Sequence, residues 1–176
     1  MTRVNKSWMA LVAAALLLGT LVAVVWARPN DRPQGADITR KVTLTGAEFI
    51  VGGAGQQWST DGNTVSCVTG SCYFVAPVVF PCLPSVTVER IRLHVLDGNG
   101  SAKAIATFWR DTPPTGSNRF YQSAVSPVGT TVGTQTFDSS PINAVVWPSQ
   151  GAVVSLEIGG PGIFVFGVTV EYHRNI

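Results

Sequence analysis

The chain has 176 residues, of which 45% are hydrophobic and only 12% are charged, and its formal net charge is +2. This weak charge offers little attraction to a phosphate backbone, so the composition argues against a nucleic-acid partner. The basic pairs Arg40-Lys41 and Arg90/Arg92 come closest to a cluster, and we expect them to be solvated side chains on strand faces.

The chain begins with a segment typical of exported proteins. Residues 8–27 contain no charged side chain, and Arg3 and Lys6 precede them. Positive charge ahead of an apolar run holds the N-terminus in the cytoplasm, and a helical run of this length could cross a bilayer core of about 30 Å. Val25 and Ala27 favour cleavage of residues 1–27 as a signal peptide, with an uncleaved signal anchor as the alternative. We therefore expect a secreted or extracytoplasmic protein, tethered to the membrane only if this hydrophobic helix is retained.

A polar segment and a single domain follow. Residues 28–37 carry two prolines and a glycine and too few apolar side chains to pack, which predicts a flexible linker. Residues 38–176 have a length that suits one domain with its own core. Removal of residues 1–27 takes away Arg3 and Lys6 but no acidic residue, so the mature chain is formally neutral.

The domain shows the periodicity of β-strands nearly throughout. In the segments 152–158 and 168–173, apolar side chains occupy every second position, which places them on one face of a strand. Residues 163–166 are apolar at every position, as expected for a strand covered on both sides. Prolines fall between such runs. The pattern predicts an all-β domain, a single antiparallel two-sheet β-sandwich of jelly-roll type.

The segment 86–111 contains two further signals. Its apolar side chains change parity near Glu89-Arg90, which predicts a β-bulge that returns both apolar sets to one face. The sequence Asp-Gly-Asn-Gly at 97–100 favours a tight turn, so we expect the strands on either side of it to form a hairpin.

Three cysteines lie close together in the sequence, at positions 67, 72 and 82. An exported protein meets an oxidising environment. The four residues between Cys67 and Cys72 suit a hairpin loop, which would bring these two thiols into range of a disulfide. Cys82 would then be buried or free, and its pairing with either of the others stays open.

The run YFVAPVVFPCLPSVTVERIRLHVLDGNG at residues 73–100 combines an aromatic-x-Ala-Pro-Val stretch, a proline turn, a Val-Thr strand and an Asp-rich turn. It resembles a pattern found in a loose group of uncharacterised secreted bacterial β-sandwich proteins. The segments SAVSPVGTT and GVTVEY, at 123–131 and 167–172, are similar to that group as well. The resemblance implies a small exported β-sandwich, and it carries over no catalytic residue to this chain.

The sequence carries few groups suited to catalysis or metal binding. We expect His94 and His173 to be surface or rim side chains, because neither has an acidic neighbour in the sequence that suggests a dyad. There is no Gly-x-Ser-x-Gly motif. Asp97 and Asn99 are more typical of a turn than of a calcium loop, and three thiols without a nearby histidine do not complete a zinc site. We therefore predict no catalytic residue, no metal and no cofactor, and a protein that is not an enzyme.

The aromatic residues are the remaining candidates for a binding site. Trp58 lies in the polar stretch GQQWSTDGN and Trp147 precedes a proline, so exposed rings there could bind sugars. Trp109 follows Phe108, and we expect it to belong to the core. The sequence favours an exported, non-catalytic protein with a structural, adhesive or interaction role, whose partner is a second copy of itself or a surface glycan. A carbohydrate-binding module that uses Trp58 and Trp147 is the first alternative, and a secreted hydrolase is the second.

Overall fold

The computed structural model describes residues 39–81, 84–98, 100–112, 117–129 and 132–175. The chain divides into two units after Asp37, and the described residues belong to the second unit, Ile38–Ile176. The predicted N-terminal helix, the predicted linker and Cys82 lie outside the described residues, so these remain predictions. Within the described ranges, no helix is long and apolar enough to cross a membrane.

The described residues form β-strands joined by short connections and one 3-10 helix, Gly46–Glu48. The predicted all-β class is therefore confirmed. The strands are β1 (Arg40–Thr45), β2 (Ile50–Val51), β3 (Gln57–Thr60), β4 (Val65–Thr69), β5 (Cys72–Pro77), β6 (Val86–Asp97), β7 (Ala104–Thr112), β8 (Ser117–Ser126), β9 (Gly133–Asp138), β10 (Ala144–Val146), β11 (Gly151–Ile158) and β12 (Ile163–Arg174).

The strands pair into two antiparallel sheets. The seven-stranded sheet has the order β10–β6–β12–β4–β3, with β1 beside β12 and β9 beside β6. The five-stranded sheet has the order β2–β5–β11–β7–β8. The predicted antiparallel two-sheet sandwich is thus confirmed, and its jelly-roll topology remains a prediction.

The core lies between the two sheets and consists of the side chains that alternate inward along each strand. The predicted inward sets on β11 and β12 are buried: Ala152, Val154, Leu156, Ile158, Val168, Val170 and Tyr172. The largest fully buried side chains come from both sheets and include Phe74, Phe108, Ile91 and Leu93. Burial of apolar surface stabilises by roughly 25 cal/mol per Å², so these alternating positions hold the two sheets together.

The predicted bulge in β6 is present. Val88 pairs with Tyr172 and Arg90 pairs with Glu171, so Glu89 has no partner of its own on β12. The extra residue shifts the side-chain parity of β6 by one position. The apolar residues on both sides of the bulge therefore point into the same core.

The predicted hairpin of β6 and β7 is wrong, because the two strands belong to different sheets. The turn residues instead support a crossing from one sheet to the other. The carboxylate of Asp97 is buried and accepts a hydrogen bond of 2.7 Å from the Gly100 N–H. The Gly98 N–H donates to the Gly162 carbonyl at 2.7 Å, and a Cβ at Gly98 would lie only 2.8 Å from that oxygen. A turn sequence shows where the chain reverses but not which sheet the next strand joins.

The connection between β4 and β5 also differs from the predicted hairpin. Cys67 and Cys72 form a disulfide with a Cα–Cα distance of 5.6 Å. β4 belongs to the seven-stranded sheet and β5 to the five-stranded sheet. The bond therefore connects the two sheets and does not cross the strands of one hairpin, and both half-cystines are buried.

The start of β12 is not covered on both sides as predicted. Ile163 and Val165 are buried, whereas Phe164 and Phe166 are 40% and 39% exposed. The two phenylalanines lie on the outer face of the seven-stranded sheet, where an apolar run in the sequence cannot show that a second layer is present.

Candidate functional site

The outer face of the five-stranded sheet carries three aromatic side chains, on the strands β5, β7 and β8. Strand alternation places Tyr73 of β5, Trp109 of β7 and Phe120 of β8 on this face. Tyr73 is 40% and Phe120 53% exposed. We call this surface the aromatic face.

The strand register determines where the rings lie. Trp109 is opposite Val153 of β11 on one side and Phe120 of β8 on the other. A shift in register between Thr107 and Trp109 brings Phe120 into this position. Tyr73 is opposite Glu157 of β11, four residues along that strand from Val153, so Pro77 is the residue directly across β11 from Trp109. Tyr73 and Trp109 therefore lie on strands paired on both sides, whereas Phe120 lies on the edge strand β8.

Side-chain contacts fix the orientation of Trp109. Its indole N–H donates a hydrogen bond of 2.7 Å to the Ser155 hydroxyl. Its ring also packs edge-to-face against Phe120, with 5.5 Å between the ring centroids. These contacts leave the Trp109 side chain little freedom to lose when a ligand binds.

A shallow depression of about 290 Å³ lies within the aromatic face and is lined by Tyr73, Val75, Trp109, Asp111 and Val153. Aromatic and aliphatic carbon atoms form most of its lining, and the Asp111 carboxylate is its charged group. Such a surface can contact an apolar C–H face of a ligand while the carboxylate accepts a hydrogen bond from a hydroxyl group.

Trp58, the first predicted binding residue, lies on the edge strand β3 and is 41% exposed. Its ring packs edge-on against the buried Phe74, with 6.0 Å between centroids. It is opposite Cys67 of β4. Part of the ring therefore closes the edge of the sandwich beside the disulfide.

Trp147, the second predicted binding residue, is 53% exposed in the turn between β10 and β11. Gln150 holds this turn, because its N–H donates to the Trp147 carbonyl at 2.9 Å and its side-chain oxygen accepts from the Trp147 N–H at 3.1 Å. Trp147 lines a cleft of about 370 Å³, together with Val79, Phe80 and Pro148 among others.

The structure does not bring the two predicted tryptophans together. Trp58 is on β3 and Trp147 follows β10, and these strands stand at opposite ends of the main strand order of the seven-stranded sheet. Neighbouring strands lie about 4.8 Å apart, so four steps across the sheet correspond to about 19 Å. One small sugar cannot contact both rings.

Three members of the basic pairs, Lys41, Arg90 and Arg92, are engaged in ion pairs on the outer face of the seven-stranded sheet. Glu171 is buried and lies 3.2 Å from the Lys41 ammonium and 3.1 Å from Arg90 Nε. Arg92 Nε lies 3.1 Å from the Asp138 carboxylate. These side chains lie on strand faces and stay partly exposed, as expected, and carboxylates on neighbouring strands pair with them.

The two histidines have different surroundings. His94 contacts two hydroxyl groups, Thr169 at 3.0 Å and Thr136 at 3.2 Å. Burial, and secondly the charge of Arg92, lower the pKa of His94 below its ordinary value of 6.5. His173 Nδ1 lies 3.2 Å from the Glu89 carboxylate, a contact that the sequence order did not indicate. The hydrogen-bond partners of the His94 ring are thus threonine hydroxyl groups. Among the described residues, no carboxylate lies within hydrogen-bond distance of this ring.

The aromatic face was missed in the sequence for a specific reason. Phe108 and Trp109 are adjacent, and strand alternation requires one of them to point outward. Phe108 is fully buried, and Trp109 is the outward one. The alternation of Tyr73 and Val75 with the buried Phe74 likewise indicated an outward-facing tyrosine. The sequence could not show that β5 and β7 lie in the same sheet.

Comparisons with known proteins give similarities only among solved structures. No protein-family model and no curated protein matches the chain. The xylan-binding module CBM15 is 10% identical, with a TM-score of 0.48 over 79% of this chain and 100% of that chain. A carbohydrate-binding module of Cellvibrio mixtus lichenase 5A, solved with cellotriose, is 15% identical, with a TM-score of 0.40 over 77% and 98%. A carbohydrate esterase from Cellvibrio japonicus is 11% identical, with a TM-score of 0.41 over 79% of this chain and 36% of the esterase. Similarities of this size carry no information about the ligand of this chain.

Proposed function

We propose that the protein is an exported, non-catalytic module that binds carbohydrate through the aromatic face. The observation that carries this proposal is the depression in which the rings of Tyr73 and Trp109 accompany the carboxylate of Asp111. The structural or adhesive role expected from the sequence then follows from glycan binding at a surface. The export itself remains a prediction from residues 1–27.

Sugars combine the two chemistries that this surface offers. A pyranose ring has faces of C–H groups that pack against an aromatic ring, and hydroxyl groups around its edge that need hydrogen-bond partners. Tyr73 as a whole residue is 40% exposed, so part of its side chain is available for contact without a rearrangement of the fold. Asp111 supplies an acceptor at the same depression.

The position of the rings on strands also favours binding. Trp109 is already held by Ser155 and Phe120, and the β5, β11 and β7 backbones are paired in register. Ordering of flexible side chains costs roughly 0.5–1.5 kcal/mol each on binding, and a rigid site avoids most of that cost.

A direct test first screens the protein on a glycan array. Isothermal titration calorimetry then measures the binding of the glycans found there and of cellohexaose, xylohexaose and laminarihexaose. We expect Tyr73→Ala and Asp111→Asn each to weaken binding about tenfold, which corresponds to about 1.4 kcal/mol. Tyr73→Phe keeps the ring and should keep most of the affinity. Trp58→Ala is the matched control, because Trp58 is similarly exposed but lies on the other sheet.

The cleft beside Trp147 is the second candidate for the same function. Trp147 is 53% exposed, and the binding role predicted for it remains a proposal. Trp147→Ala distinguishes the two surfaces. If that variant abolishes binding while Tyr73→Ala binds normally, the glycan site is the cleft and the assignment to the aromatic face is wrong. Absence of binding to every glycan on the array would remove the proposed function altogether.

A further inference from the structure

Two arginines stand directly opposite each other at the far end of β7 and β8. Arg110 and Arg119 are cross-strand partners in the antiparallel register. Both guanidinium groups lie over the ring of Tyr121, at 5.5 and 5.3 Å from its centroid. Arg110 neighbours Trp109 in the strand, so alternation places its side chain on the opposite side of the sheet from the aromatic face.

In the part of the chain that the structure describes, the charges of Arg110 and Arg119 are not balanced by an acidic side chain. Among the described residues, no carboxylate lies within ion-pair distance of Arg110 or Arg119, whereas Arg90 and Arg92 on the other sheet have such partners. Like charges directly opposite each other on neighbouring strands destabilise a sheet. A group of opposite charge between them would relieve this repulsion.

One hydrogen-bond donor of Arg110 is also left without a partner among the described residues. One terminal nitrogen, Nη1, donates to the Val145 carbonyl at 2.7 Å and holds the side chain in place. Its Nε is buried and has no hydrogen-bond partner among the described residues. Arg119 is exposed, so its guanidinium can approach a ligand from solvent. The site therefore has one fixed and one adjustable arginine.

We propose that Arg110 and Arg119 form a binding site for an oxyanion, a carboxylate or sulfate group. Planar guanidinium groups match these anions because two parallel N–H groups can donate to two oxygens. The Tyr121 ring holds the two cations by cation–π contacts without neutralising them. The carrier of the anion, an acidic sugar such as a uronic acid, rests on the proposed function, whereas the anion site itself does not.

The experiment follows the Arg110 Nε–H signal by NMR during titrations of the protein with sodium sulfate, sodium glucuronate, glucose and sodium chloride. We expect a saturable shift with sulfate and glucuronate, and none with glucose or with chloride at equal ionic strength. Arg119→Gln should weaken both anions at least tenfold, and Arg119→Lys should restore part of the affinity. Arg40→Gln is the control, since Arg40 is an exposed arginine on β1 of the other sheet.

The outcomes separate this inference from the proposed function. If sulfate and glucuronate give no saturable shift, or bind equally well to Arg119→Gln, the anion site is wrong, whatever the aromatic face binds. Saturation by sulfate alone would support the anion site and overturn the acidic-sugar carrier. Loss of neutral-glycan binding in Tyr73→Ala, with anion binding unchanged, would show that the two surfaces act independently.

Discussion

At the scale of single residues, Glu171 is a buried carboxylate that three cationic side chains, Lys41, Arg90 and Arg92, approach. Its side chain is 5% exposed, while the side chains of its partners Lys41 and Arg90 are 57% and 44% exposed. In each ion pair only the carboxylate is buried, so solvent around the cationic group weakens the attraction. The buried partner is the Glu171 carboxylate, and its loss removes the charged acceptor that Lys41 and Arg90 share.

We therefore expect Glu171→Gln to lower the free energy of unfolding by about 2 kcal/mol, because hydrogen bonds to a charged group contribute more than neutral ones. Urea denaturation of the wild type and the variant measures this difference. Glu157→Gln is the control, since Glu157 is exposed on the other sheet. Equal losses in the two variants would contradict the assigned role of Glu171.

His94 gives the protein a dependence on pH. Its pKa in the folded state is lowered, first by burial and then by Arg92, while the charge of Asp138 acts in the opposite direction. A folded state that binds a proton more weakly than the unfolded state is destabilised by protonation. The contribution of neutral His94 to folding stability is therefore fully present above pH 6.5, the ordinary pKa of a histidine. It is lost as the pH falls through the lowered pKa of His94 in the folded state.

The corresponding prediction concerns the slope of stability against pH. Between pH 7.5 and pH 5, urea denaturation should show a larger loss of stability for the wild type than for His94→Gln, whose amide retains hydrogen bonds to Thr136 and Thr169. Identical slopes for the two proteins would mean that the surroundings of His94 do not perturb its titration.

At the scale of the strands, side-chain patterns could be predicted from the sequence but strand partners could not. The parity change at Glu89 required an extra residue in β6, and the bulge is there. Parity depends only on neighbours in the chain, so it can be read directly. Pairing depends on residues far away in the sequence, and the predicted partners of β6 and β4 were therefore wrong.

The disulfide shows the same distinction between local and distant information. The short spacing of Cys67 and Cys72 indicated that the thiols can meet, because the chain between them is short. It could not indicate that the two strands enter different sheets. A bond at this connection limits the separation of the two layers at the end where β4 leads into β5.

Removal of this bond should destabilise the protein only moderately. For a sequence separation of 5, loop-closure entropy corresponds to about 2 kcal/mol. Urea denaturation of Cys67→Ala/Cys72→Ala against the wild type measures the loss, and reduction of the wild type should reproduce it. Unchanged stability in the double variant would show that the bond does not constrain the unfolded chain.

At the scale of the whole molecule, the aromatic face is a property of the assembled sheet. Tyr73 and Trp109 are distant in sequence and line one depression only when β5 and β7 both pair with β11. From the sequence we could predict that exposed tryptophans would bind the ligand, but it indicated Trp58 and Trp147. The fold places these two residues at opposite ends of the main strand order of the seven-stranded sheet.

Export is the other property of the whole chain. If residues 1–27 are a cleaved signal peptide, mass spectrometry and N-terminal sequencing of the mature protein should find Arg28 as the first residue. Recovery of the chain with residues 1–27 intact from a membrane fraction would instead show that the segment is a signal anchor.

The most direct test of glycan binding at the aromatic face is an NMR titration that follows the indole N–H signals of Trp58, Trp109 and Trp147. Saturation with a glycan that binds on the array should shift the Trp109 signal, whose donor is bonded to Ser155 within that face, and leave the Trp58 signal unchanged. A shift confined to Trp58 or Trp147, with the Trp109 signal unmoved, would contradict the proposed site.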